Sequence, residues 1–250
     1  VDLKLKDRVV LVTGGSRGIG KAICVAFAAE GAGVGVNYRQ GRAEAEAVVG
    51  AIGAGRAVAV AGDLADAESV PAMFDQVERA LGPVDVLVNN AAYCPSGPIE
   101  SYTSDEWDRT FAVNVRGAFR ASQELIARLR ARGARGKIVN VASQAAFLGS
   151  TSGHLPYDAS KGALVSMTRS IAREVAREGI NVNAVAPGMV MTEMVARIWE
   201  ERKATYLARI PLSRIAEPEE IASVVVFLAS EAASYMTGAT VDVSGGVLMR

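Results

Sequence analysis

Seven short runs rich in β-branched residues alternate with longer helical patterns, and this alternation restricts the fold more than any other feature of the chain. The runs are Arg8 to Thr13, Gly33 to Tyr38, Ala57 to Ala61, Val84 to Asn89, Lys137 to Ala142, Asn181 to Ala186 and Ala239 to Val243. Between them lie Lys21 to Glu30, Ala43 to Ile52, Ala67 to Leu81, Ser104 to Arg132, Tyr157 to Arg177 and Pro218 to Ala229. Apolar strands joined by helices predict a parallel sheet covered on both faces. Right-handed crossovers then give an α/β, doubly wound, Rossmann-like sheet of about seven strands. A length of 250 residues, with no linker, repeat or low-complexity tract, predicts one domain spanning 1–250.

In such a sheet ligands bind outside the carboxyl ends of the strands. Thr13-Gly14-Gly15-Ser16-Arg17-Gly18-Ile19-Gly20 follows the first run and opens the first helix. Glycines there let backbone approach a pyrophosphate, and the helix N-terminus favours its charge. Asp63, Asn90 and Ala91, Ser143, and Pro187-Gly188 follow later strands at the same edge. Tyr157 and Lys161 stand four apart, which on a helix places them on one face. A phenol is a weak acid-base group at neutral pH unless a nearby cation stabilises its anion, and Lys161 is spaced to supply that cation. Taken singly, each residue also reads as ordinary structure: Ser143 a cap, Asn114 a polar helix residue, Lys161 a solvated charge.

Charge excludes some partners. Lys plus Arg and Asp plus Glu both total 27, so nothing suggests a nucleic-acid or anionic-membrane surface. The longest strongly apolar stretch, Val224 to Ala229, is far below a membrane span. No basic-then-apolar leader opens the sequence, and Cys24 and Cys94 read as free thiols of a cytoplasmic protein. No histidine or acid partner is expected beside Cys94. One histidine and two scattered cysteines predict no metal site.

Together, Thr13-Gly14-xxx-Gly18-Ile19-Gly20, Asp63, Asn89-Asn90-Ala91-Ala92, Asn114, Ser143, Tyr157-xxx-Lys161 and Pro187-Gly188 with Thr192 resemble the short-chain dehydrogenase/reductase family over essentially the whole chain. Ala92 stands where that family usually has glycine. The resemblance implies hydride transfer between nicotinamide and a carbonyl or alcohol carbon, with Asn114, Ser143, Tyr157 and Lys161 as the catalytic set. It implies that Lys161 lowers the tyrosine pKa and bonds the nicotinamide ribose, and that Asn114 holds a water. It also implies cofactor contacts from Gly14, Ser16, Arg17, Gly18, Ile19, Gly20, Tyr38, Arg39, Asp63, Leu64, Asn90, Ala91, Tyr157, Lys161, Pro187, Gly188, Val190 and Thr192. A homotetramer is implied by resemblance alone.

The second strand ends Val36-Asn37-Tyr38-Arg39, without the acid that normally receives an NAD ribose. Arg17, Arg39 and Ser16 can instead bind a 2′-phosphate, so NADP(H) is the expected cofactor, with NAD(H) use still open. Gln144, Tyr93, Cys94, His154, Met189 and Met194 are candidates for contact with a small-molecule substrate, and 189–211 for a lid. A 3-oxoacyl thioester, for which Arg128, Arg130, Arg132 and Arg135 offer a carrier-docking patch, and a sugar or polyol remain rival substrates. A nicotinamide-binding regulatory protein without chemistry is the alternative from another class; a methyltransferase leaves Tyr157 and Lys161 unexplained.

Overall fold

A computed structural model describes residues 2–53, 55–66, 68–150, 153–196 and 199–249, apart from the side chain of Met194. The strands are β1 (Val9–Val12), β2 (Gly33–Tyr38), β3 (Ala57–Ala61), β4 (Val86–Asn89), β5 (Gly136–Val141), β6 (Ile180–Pro187) and β7 (Thr240–Val243). They form one parallel sheet in the order β3-β2-β1-β4-β5-β6-β7.

Alternation along β1 shows why both faces are covered. Val10 and Val12 join the core beneath α1 (Gly18–Ala29), α2 (Arg42–Ile52) and α10 (Pro218–Ala229). Val9 and Leu11 point into the opposite core, with α3 (Ser69–Leu81), α5 (Ala118–Ala131) and α7 (Leu155–Val175). All four residues are buried, and each contributes about 1.5–3 kcal/mol relative to exposure. Strand order reverses between β1 and β4, which opens a crevice at their carboxyl ends.

The single helical pattern expected from Ser104 to Arg132 is broken. It comprises α4 (Ser104–Phe111), a π-helical turn over Ala112–Gly117, and α5. Shorter helices α6 (Ala145–Leu148), α8 (Glu193–Ala196) and α9 (Trp199–Leu207) lie in connections that the sequence pattern left unassigned. No helix among the described residues is long and apolar enough to cross a membrane.

Candidate active site

The glycine loop is tied to both neighbouring strands. Thr13 Oγ1 donates to the Val88 carbonyl (3.1 Å) and accepts from the amides of Asn90 (2.9 Å) and Ala91 (3.1 Å). Asn90 Nδ2 donates to the carbonyls of Thr13 (2.9 Å) and Gly14 (3.0 Å). From the other side Asn37, only 1% exposed, accepts from the Gly14 amide at 3.1 Å and donates to the carbonyls of Val60 and Gly62, each at 3.2 Å. Gly14 has φ +63°, in the left-handed region. A Cβ on Gly20 would run into the Gly14 carbonyl and stand 2.6 Å from Asn90 Nδ2. At Gly20 the loop therefore has room for backbone alone.

Helix α1 begins with no side-chain cap and no acid in its first turn, leaving its leading amides to an anion. Thr192 lies over the same loop, since a Cβ on Gly18 would be 3.5 Å from its Cγ2. Arg17 is exposed, whereas Ser16, Ile19 and Tyr38 are half-buried. Arg39 is held loosely, with Nη1 3.9 Å from Asp63 Oδ2 and Nη2 3.4 Å from Gln40 Oε1. Arg42 is instead engaged by Glu46 at 2.7 Å. Asp63 also accepts from the Ala65 amide (2.9 Å), and Leu64 beside it is buried. Val190 bridges to Ala216, while the Pro187 carbonyl receives the Gln144 amide at 2.9 Å.

The catalytic candidates converge where β5 ends and α7 begins. Ser143 lies close enough to the Tyr157 phenol to lower its pKa, and its Oγ accepts the Ala145 amide (3.1 Å), so it is a cap as well. Lys161 is 2% exposed; its Nζ donates to the Val141 carbonyl at 2.6 Å and lies 5.4 Å from the Tyr157 ring centroid. Asn114, on the π-helical turn, accepts the Tyr93 amide (2.7 Å) and donates to the Tyr93 carbonyl and Ser160 Oγ, both 2.9 Å. Its side-chain amide fixes the loop after β4 and the start of α7.

The Tyr157 phenol lies above its ordinary range, not below it. Burial pushes the phenol well above its ordinary range; neighbouring Cys94 and Asp158 add to this, and the bond from Ser143 opposes it. Burial likewise pulls the Lys161 ammonium down to about 8, partly offset by Cys94. Desolvation of both groups outweighs the stabilisation that spacing alone suggested.

Cys94 corrects a second expectation, because its Sγ lies 3.7 Å from His154 Nδ1. The thiol is nevertheless not activated: burial pushes it up to about 11, with Lys161 opposing and Asp158 adding. Met189 lines a cleft of about 460 Å³ with Ile210, Leu212, Ser244 and Met249. None of the four catalytic candidates lines it; Ser244 adjoins Gly188, which in turn adjoins Gln144. The Met194 side chain lies outside the described residues.

Two structural contributors escaped sequence reading. Asn37 anchors the glycine loop, and Asn140 links Asn89 Nδ2 (2.9 Å) to Thr168 Oγ1 (2.8 Å), joining β4, β5 and α7. The available signal was an asparagine inside an otherwise apolar strand, a residue depleted there unless its amide is paired.

Known proteins show the same pattern. The sequence model of a family described as enoyl-(acyl carrier protein) reductase matches residues 14–248. A 3-oxoacyl-(acyl-carrier-protein) reductase from Staphylococcus aureus is 40% identical over 241 residues, 96% of this chain and 97% of that protein. A glucose and ribitol dehydrogenase homolog from Oryza sativa is 39% identical over 98% of this chain and 87% of that protein. Among solved structures, a short-chain type dehydrogenase/reductase from Mycobacterium marinum superposes with TM-score 0.94 at 32% identity, covering 100% of this chain and 99% of that one. A candidate 2-deoxy-D-gluconate 3-dehydrogenase from Agrobacterium tumefaciens, solved with bound NADP, superposes with TM-score 0.90 at 36% identity and the same coverage.

Proposed function

The chain belongs to the short-chain dehydrogenase/reductase family, oxidoreductases acting on C=O and CH–OH groups, and we propose that it moves hydride between NADP(H) and a carbonyl or secondary alcohol carbon with Tyr157 as general acid-base. The observation that carries this reading is the convergence of Ser143, Tyr157 and Lys161. The cofactor fits the residues present: a glycine cradle with no space for a Cβ at Gly20, uncapped α1 amides, and Arg17 and Arg39 for a 2′-phosphate. NADP in the Agrobacterium tumefaciens relative supports the same choice.

The cofactor supplies hydride; the chain supplies charge control. As negative charge grows on the substrate oxygen, the hydroxyls of Ser143 and Tyr157 stabilise it and Tyr157 releases its proton to it. A phenol raised above its usual range stays protonated at neutral pH, the form a reduction requires. Lys161, still mostly an ammonium at neutral pH, places positive charge beside the phenolate that forms. Asn114 is a positioning residue, holding the Tyr93 loop and the first turns of α7. The segment 189–211 acts as a lid over this edge, and the protein assembles as a homotetramer, which light scattering at assay concentration tests.

Tyr157→Phe removes the proton donor without altering the glycine loop. Turnover should fall at least about 1,000-fold, more than 4 kcal/mol in the barrier, while NADPH binding followed by fluorescence is retained. Turnover close to wild type would refute the mechanism.

A further inference from the structure

The wall beside the catalytic candidates carries more acceptors than its own donors satisfy. Gln144 directly follows Ser143, and its Oε1 is buried without a partner among the described residues, 3.2 Å from where a Cβ on Gly188 would stand. Asp158 directly follows Tyr157; one oxygen accepts the Ser150 amide at 2.7 Å, and the other, Oδ1, is buried without a partner among the described residues. His154 Nδ1 is 3.0 Å from the Pro95 carbonyl. A carbonyl only accepts, so Nδ1 carries a proton. Two donors of the same wall are already used, the Tyr102 hydroxyl on the Gly153 carbonyl (2.6 Å) and the His154 amide on Ser150 Oγ (3.2 Å).

A surplus of acceptors selects for a ligand that brings donors. A hydroxyl brings one; a 3-oxoacyl thioester brings two carbonyl acceptors and hydrocarbon. The docking patch that a carrier would need is also largely neutralised. Arg128 is paired with Asp75 and Glu78 (2.6 Å each) and Glu124 (2.8 Å), Arg130 with Glu178 (2.7 Å), and Arg132 with Asp85 (3.2 Å). Exposed Arg135, and Arg169 and Arg173 on α7, remain as scattered cations. Resting on the hydride-transfer reading above, we propose that the substrate is a small free ketone or alcohol with hydroxyls flanking the reacting carbon, of the sugar or polyol kind, and not a carrier-borne thioester.

The test follows NADPH absorbance with four carbonyls: a ketotetrose, a methyl ketone of equal carbon number, and a 3-oxobutanoyl thioester presented both free and on an acyl carrier protein. The ketotetrose should exceed the methyl ketone in kcat/KM by at least about 100-fold, as for sites built around a substrate hydroxyl. The carrier should add nothing to the free thioester. Gln144→Leu should shrink the ketotetrose advantage by about 10-fold through KM, as expected for one lost hydrogen bond. Equal rates for ketotetrose and methyl ketone, or a preference for the carrier-borne thioester, overturn the substrate class and leave hydride transfer standing. Protein that binds NADPH yet reduces none of the four overturns both. Should the variant fail to fold, the wild-type comparison still decides.

Discussion

The cofactor edge and the substrate edge of the sheet are built on opposite principles. Around the glycine loop, Thr13, Asn37 and Asn90 spend their polar groups on the backbone of adjoining strands, so the cradle is fixed before any ligand arrives. Across the crevice, Gln144 and Asp158 each hold a buried oxygen with no partner among the described residues. A ligand recognised through backbone geometry needs rigidity, whereas one recognised by side chains needs groups left over for it. The sharpest way to break this contrast is Gly20→Ala. A methyl there collides with the Gly14 carbonyl and Asn90, neither of which can yield without losing its tie to β4. NADPH affinity should fall by about 100-fold and stability by about 1–3 kcal/mol, an overpacking cost, measured by fluorescence titration and urea unfolding. A tolerated alanine would mean the cradle is as adaptable as the opposite wall.

Lys161 stands between the two edges, and its burial has a cost that pH reveals. Its folded pKa, about 8, lies below the ordinary 10.5, so between those values the unfolded chain binds the extra proton and this group makes stability rise with pH. The half-buried thiol of Cys94 and the phenol of Tyr157, raised instead, push the other way at higher pH. Comparing wild type with Lys161→Met isolates the lysine. From pH 8 to 9.5 the difference in unfolding free energy should move in favour of wild type by about 2 kcal/mol, at 1.36 kcal/mol per pH unit, read from denaturant midpoints. A difference independent of pH would show that Lys161 is not desolvated and that the sheet edge around Tyr157 is wet.

The contrast also explains what could be read in advance. Each expected strand lies within two residues of the one found, because apolar runs buried on both faces leave a strong local signal. The glycine loop and the Tyr157–Lys161 pair were legible for the same reason, since each works through neighbours in sequence. The approach of Cys94 to His154 was not, because 60 residues separate them and two loops must fold first. Nor was the raised pKa of Tyr157, whose largest cause is burial, a property of the whole fold. The arginines of α5 mark the same limit. Their number was visible, but the carboxylates that neutralise Arg128 come partly from α3.

The smallest expected effect lies at the outer rim of the cofactor edge, where Arg39 is loosely held. Its side chain is 39% exposed and sits 3.9 Å from Asp63, so any contact with a 2′-phosphate works in high dielectric and is screened by salt. Arg39→Ala should therefore lower the ratio of kcat/KM for NADPH over NADH by about 10-fold at low ionic strength, roughly 1.4 kcal/mol, and by less as salt is added. Asp63→Asn should raise the same ratio slightly, because it removes the carboxylate competing for the guanidinium. Opposite signs from two adjacent side chains distinguish charge recognition from general damage to the loop. An unchanged ratio in Arg39→Ala would transfer the phosphate to Arg17 and extend the pre-built cradle to its first exposed residue.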